Sequence, residues 1–99
     1  MIDFDRVVGF DSDAGNVGKN ARHGVDNREI EQVFFNQPLQ VAPDALHSAM
    51  ERRYRALGKT DRGRHLVVIF TLRAEATLIR VVSARAMNRK ERQVYGQKT

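Results

Sequence analysis

Apolar positions along the chain change period several times, and each change marks an element. The stretch His65-Leu66-Val67-Val68-Ile69-Phe70-Thr71-Leu72 is β-branched, aromatic or otherwise apolar at nearly every position, as a central strand covered on both faces requires. After a short Ala74-Glu75-Ala76 turn, Thr77 to Arg85 returns as a second strand. Regular alternation places Leu78, Arg80, Val82 and Ala84 on one of its faces and Ile79, Val81, Ser83 and Arg85 on the other. Upstream, Arg52 to Leu57 sets Arg53, Arg55 and Leu57 against Arg52, Tyr54 and Ala56. The polar run Gly58-Lys59-Thr60-Asp61-Arg62-Gly63 then supplies a hairpin turn. Arg6 to Phe10 and Leu39-Gln40-Val41 are shorter strand candidates. The second reads as an edge strand, since Pro43-Asp44 and His47-Ser48 carry turn chemistry.

Helical spacing appears in three places. Asp26 followed by Glu29 is a capping-box pattern, Val25 and Ile30 form a hydrophobic staple, and Ile30, Val33 and Phe34 line one face before Pro38 stops the helix. This predicts a helix over 26–36. Asp13 can cap an earlier helix running toward Gly24. There Gly15 and Gly18 each cost about 1 kcal/mol relative to Ala, so packing through Ala14, Val17 and Ala21 must hold it. Asn88 and Glu91 repeat the capping-box pattern, which predicts a last helix over 89–95 that ends at Gly96. The expected fold is therefore α+β: an antiparallel sheet of three to four strands, two N-terminal helices and one C-terminal helix. So short a chain encloses one core, giving a single domain over residues 1–99.

Composition adds little until charge is divided along the chain. The hydrophobic share of 41% suits a folded domain, and the lack of cysteine excludes disulfides, thiolate zinc sites and a cysteine nucleophile. No apolar run nears the roughly 20 residues that span a bilayer, and the opening MIDFDRVVGF is acidic where a signal peptide is basic. A cytoplasmic protein with no membrane partner is expected. Residues 1–50 hold four Lys/Arg against eight Asp/Glu, and residues 51–99 hold thirteen against four, so −4 and +9 make up the net +5. The second half seeks a polyanion: nucleic acid, an anionic surface or an acidic protein.

Several chemistries can be set aside. Gly15 and Gly18 lack the context of a phosphate-binding glycine loop, and His23, His47 and His65 have no metal-ligand spacing, so neither cofactor nor metal is expected. Ser48 and Ser83 lack nucleophile-elbow glycines. What remains is an arginine-dense sheet leading into Arg85, Arg89, Lys90 and Arg92. Guanidinium forks pair with phosphate oxygens, and these residues suffice to bind RNA. Cutting RNA without a metal also needs proton-transfer groups, for which Glu51, His23, His65 and Tyr54 are available. Each has a plainer reading. Arginines alternating on a strand can be a solvated face, His23 can favour a helix C-terminus, and Tyr54 and Tyr95 can be packing residues.

The order of short motifs nevertheless resembles one family. Phe10-Asp11-Ser12-Asp13-Ala14-Gly15-Asn16, then Lys19 and Arg22-His23-Gly24-Val25, is similar to the opening of BrnT toxins, with Ser12 where tryptophan is usual. Asp44, His47-Ser48, Glu51, Arg53-Tyr54, Ala56-Leu57-Gly58, Gly63-Arg64 and Val68-Ile69-Phe70-Thr71 resemble the family's middle. Arg80, Ser83-Ala84-Arg85-Ala86, Glu91 and Tyr95 resemble its ending. The resemblance implies a RelE-like fold and a ribonuclease toxin of a type II toxin–antitoxin system. It also implies a ribbon-helix-helix, BrnA-like antitoxin, with the complex binding operator DNA through the antitoxin in an assembly built on dimers. The matching site positions are His23, Glu51, Arg53, Arg80, Ser83, Arg85 and Tyr95, with Glu51 or His23 moving protons. Arg80 and Arg85 share one site only if a bend or bulge near Ser83 breaks the alternation. The alternative is a non-catalytic basic module that binds nucleic acid or an acidic protein.

Overall fold

A computed structural model of the chain describes residues 2–11, 24–44 and 51–97. Their elements, after a 3-10 turn at Phe4–Arg6, are β1 (Gly9–Phe10), α1 (Asn27–Phe35), β2 (Gln40–Pro43), β3 (Tyr54–Lys59), β4 (His65–Arg73), β5 (Leu78–Ala86) and α2 (Arg89–Gln97). The strands form one sheet in the order β1-β5-β4-β3-β2. From β2 to β5 it is an antiparallel meander, and β1 lies parallel to β5, with Gly9 opposite Leu78 and Phe10 opposite Ile79.

The sheet thus has five strands and is mixed, which corrects the antiparallel three- to four-stranded RelE-like plan. Apolar alternation gives a strand its faces but does not name the partner of a two-residue segment. Backbone groups fix its register: the Val8 N–H donates to the Thr77 carbonyl and the Asp11 N–H to the Ile79 carbonyl, both at 2.8 Å. The 3-10 turn occupies part of the segment expected to be strand, so β1 is shorter than the 6–10 reading. The earlier of the two expected N-terminal helices falls on residues outside the described set. The second is α1.

Local chemistry explains α1. Asp26 accepts a hydrogen bond from the Glu29 N–H at 2.8 Å, and Glu29 accepts one from the Asp26 N–H at 3.3 Å, the reciprocal cap its spacing predicts. The helix buries Ile30 and Val33 against the sheet, with Val25 in the same core. Phe34 stands edge-on to Phe70 with centroids 5.1 Å apart, and Phe10 and Phe4 close around it. Burying each such side chain contributes roughly 1.5–3 kcal/mol. Gly58 on β3 permits the approach, since a Cβ there would sit 2.7 Å from Val33 Cγ1.

On the opposite face of the sheet, α2 covers Leu57, Val67 and Met87 with Tyr95, and Ile69 packs at the margin. β4 is therefore covered on both sides, as its unbroken apolar run requires. α2 continues through Gly96 to Gln97, one turn position past the predicted stop. The β4–β5 turn carries three successive left-handed residues, Ala74, Glu75 and Ala76, at φ of 52°, 56° and 68°. Each costs roughly 1–2 kcal/mol for a residue with a Cβ. The turn is closed by Thr77, whose hydroxyl donates to the Ala74 carbonyl at 2.7 Å.

Candidate active site

Arg80 and Arg85 stand five residues apart, so an unbroken strand would point them to opposite sides of the sheet. The register shows otherwise. Arg85 opposes Val67, Ser83 opposes Ile69, and Arg80 opposes Thr71. Val67, Ile69 and Thr71 alternate along β4 and share its α2 side, and directly opposed residues share a face. The pairing shifts between Ile69 and Phe70, where Ser83 and then Val81 are engaged and Val82 has no opposite number. Val82 is thus a β-bulge, and it restores Arg80 to the face of Ser83 and Arg85. This corrects the regular alternation: Ile79, Val81 and Ala84 lie on the α1 side, while Leu78, Arg80, Ser83 and Arg85 lie on the other.

α2 covers only part of that second face. Glu51 reaches it through an ion pair with Arg73, whose Nη1 lies 3.1 Å from a Glu51 oxygen. Arg73 opposes Leu78, so it stands two positions beyond Thr71 on the face that carries Arg80. Its Nε is shielded from solvent and has no hydrogen-bond partner among the described residues. Arg53 immediately precedes β3 and is half-buried, its carbonyl accepting from the Asp44 N–H at 2.8 Å. Arg55 opposes Ile69 from the other side of β4 and is exposed on the same face.

The other expected site residues stand differently. Arg85 makes a bidentate pair with Glu91, at 2.7 and 2.8 Å. Glu91 also accepts from the Asn88 N–H at 2.9 Å and donates its own N–H to Asn88 Oδ1 at 2.8 Å, the capping box of α2. The hydrogen bonds from Arg85 hold the Glu91 carboxyl below the usual carboxylate range, and Glu91 raises the guanidinium in turn. Arg85 therefore braces α2 onto β5. Tyr95 is buried, and its hydroxyl donates to the Pro38 carbonyl at 2.5 Å. Gln40 Nε2 donates to the Tyr95 carbonyl at 3.1 Å, and the His65 ring meets the Tyr95 ring edge-on. Burial pushes the Tyr95 hydroxyl pKa up. Tyr54 stacks on Phe70 in the α1-side core. His23 lies outside the described residues.

The structure thus brings Arg80 and Ser83, both half-buried, onto one face with Arg85 beside them, adds Glu51 through Arg73, and sets His65 against Tyr95 of α2. Sequence reasoning set Arg55 on the face of Leu57 but left both Arg55 and Arg73 out of the site. Both could have been found by carrying the parity of Val67 and Ile69 along β4 to Arg73 and that of Leu57 back to Arg55. Among the described residues no three His, Asp or Glu side chains cluster as a metal site would require. No helix among them is long and apolar enough to cross a membrane.

Fold and face together define a small basic α+β domain that seals one side of its sheet and presents arginines and a serine on the other. The chain belongs to the BrnT family, the ribonuclease toxins of type II toxin–antitoxin systems, whose profile matches residues 13–91, about four fifths of its length. No curated protein matches it. A type II system pairs its toxin with a protein antitoxin, so membership implies such a partner.

Proposed function

We propose that this chain cuts RNA endonucleolytically, without a metal ion, on the half of the sheet that α2 leaves open. The observation that carries the reading is the Val82 bulge, which gathers Arg80 with Ser83 on the face that also receives Glu51. In this reading the RNA 2′-hydroxyl attacks the adjacent phosphorus and the bond to the 5′ oxygen breaks. The products are a 2′,3′-cyclic phosphate and a free 5′-hydroxyl. Glu51, ion-paired with Arg73, takes the 2′-hydroxyl proton. His23, assigned through the family's motif, is the candidate donor to the departing oxygen. Arg80 and the Ser83 hydroxyl donate to the non-bridging oxygens as charge builds on the phosphorane, with Arg53 holding a neighbouring phosphate. Arg85 and Tyr95 contribute by fixing α2, which borders the site. A cytoplasmic ribbon-helix-helix antitoxin of the BrnA kind silences the toxin in this reading by covering the basic face.

The test is cleavage of purified RNA in EDTA. Wild-type protein is expected to cut at an undiminished rate, and Arg80→Ala to lose on the order of 100-fold or more. Loss of cutting in EDTA would remove metal independence, and full activity in Arg80→Ala would remove the site. A protein that retards RNA on a gel without shortening it would be a binding module instead.

A further inference from the structure

Beside the open face lies a groove of about 300 Å³, bounded by β3 and α2 and lined by Arg55, Leu57, Asn88, Lys90, Glu91 and Val94. That volume is at the lower end of the range for small-molecule sites. Its walls are of two kinds. Leu57 forms an apolar floor and Val94, 39% exposed, an apolar wall. Lys90 and Arg55 supply two cations, of which Arg55 also acts through space on the Glu91 carboxyl. Glu91 is the one acid in the lining, and both its oxygens are engaged by Arg85 and the Asn88 N–H. Asn88 uses Oδ1 to cap α2, which leaves its Nδ2 amide as a donor with no partner among the described residues. The capping box takes up the Asn88 and Glu91 N–H groups, and the recognition argued here rests on the side chains.

We propose that this groove is a nucleotide subsite, holding an RNA residue that neighbours the one cut beside Arg80. The proposal rests on the RNA-cleaving reading given above. Apolar surface on two sides suits the face of a base, a free amide suits a base acceptor, and two cations suit the attached phosphate. The groove is also continuous with the site. Arg55 and Ser83 oppose Ile69 from its two sides, so their backbones are separated by two strand spacings, roughly 9–10 Å. One bound strand can touch both. An acidic protein segment would also find the cations, but the free amide and the paired apolar surfaces of Leu57 and Val94 favour a base.

The experiment compares Lys90→Glu and Val94→Asp with Arg62→Glu, a like charge change in the β3–β4 turn. Steady-state cleavage is read with a short oligoribonucleotide. Methyl and side-chain amide NMR spectra are read with a 2′-O-methylated oligonucleotide, which lacks the attacking hydroxyl. Lys90→Glu and Val94→Asp are expected to raise KM at least tenfold with kcat within twofold, and the conservative Val94→Ile to keep KM at the wild-type value. Lys90→Glu should also reduce the slope of log K against log salt by about one. Arg62→Glu should leave KM unchanged, and the oligonucleotide should shift the Leu57, Val94 and Asn88 signals. Cleavage with equal KM in all variants would overturn the subsite and leave the nuclease reading intact. Groove shifts without any cleavage by wild type would keep the subsite and sink the nuclease reading. Shifts produced by an acidic peptide but not by RNA would overturn the subsite in favour of a protein-docking groove.

Discussion

The two faces of the sheet follow different rules although the same strands supply both. The α1 side is apolar from Tyr54 across Phe70 to Ile79 and is sealed by a helix and a cluster of aromatic rings. The α2 side is apolar only where Leu57, Val67 and Tyr95 meet, and polar beyond that line. One face supplies the cohesion, which leaves half of the other able to carry arginines that a core could not tolerate. Stability and chemistry should therefore be separable by mutation.

The largest expected effect breaks the sealed side. Phe70→Ala should lower unfolding free energy by about 3–5 kcal/mol in urea titration, whereas Arg80→Ala should stay near wild type in the same assay. Comparable losses in both would mean that the two faces are not divided in this way. A sharper probe is deletion of Val82. Every registered pair survives the deletion, so Arg80, Ser83 and Arg85 keep their common face and only the local twist of the bulge is removed. RNA cleavage is expected to fall about 100-fold from misplacement alone, with the folded state preserved by circular dichroism. Unchanged cleavage would show that a shared face suffices.

The smallest effect lies at the border between the faces. The Glu91 carboxyl titrates below its usual range chiefly because Arg85 donates to it. Its stabilisation is therefore complete above the pH at which a glutamate in the unfolded chain ionises, and is lost as pH falls through the lower folded value. Glu91→Gln should cost about 1 kcal/mol near neutrality and flatten the acid limb of the stability profile. An acid limb identical to wild type would assign that dependence to other carboxylates.

What could be read from the sequence was what residues a few positions apart determine. Asp26 with Glu29 and Asn88 with Glu91 fixed two helix starts, and the unbroken run at 65–72 identified the strand covered on both sides. Features that join distant segments were not legible. The parallel register of β1 on β5 is set by backbone hydrogen bonds, which leave no mark on side-chain pattern. The bulge falls at Val82 among residues that alternate smoothly, with no glycine to signal it, so regular parity set Arg80 on the face away from Ser83 and Arg85, and a bulge near Ser83 could be stated only as the condition for a shared site. The Arg85–Glu91 pair links a strand to a helix, and Glu51–Arg73 links residues 22 positions apart. Neither spacing is one that local rules single out. Glu51, Arg80 and Ser83 were named from motif order, and their relation in space came only from the register.

The parallel pairing of Gly9 with Leu78 has a consequence for how the molecule is made. It closes a loop of most of the chain, and such long-range closure is slow compared with hairpin formation. β5 is the neighbour of both β1 and β4, so β1 has nothing to dock on until β5 has left the ribosome. The arginines on β5 arrive in that same step. A nascent chain therefore gains its finished sheet and the arginines of β5 together, and products that stop before β5 have neither.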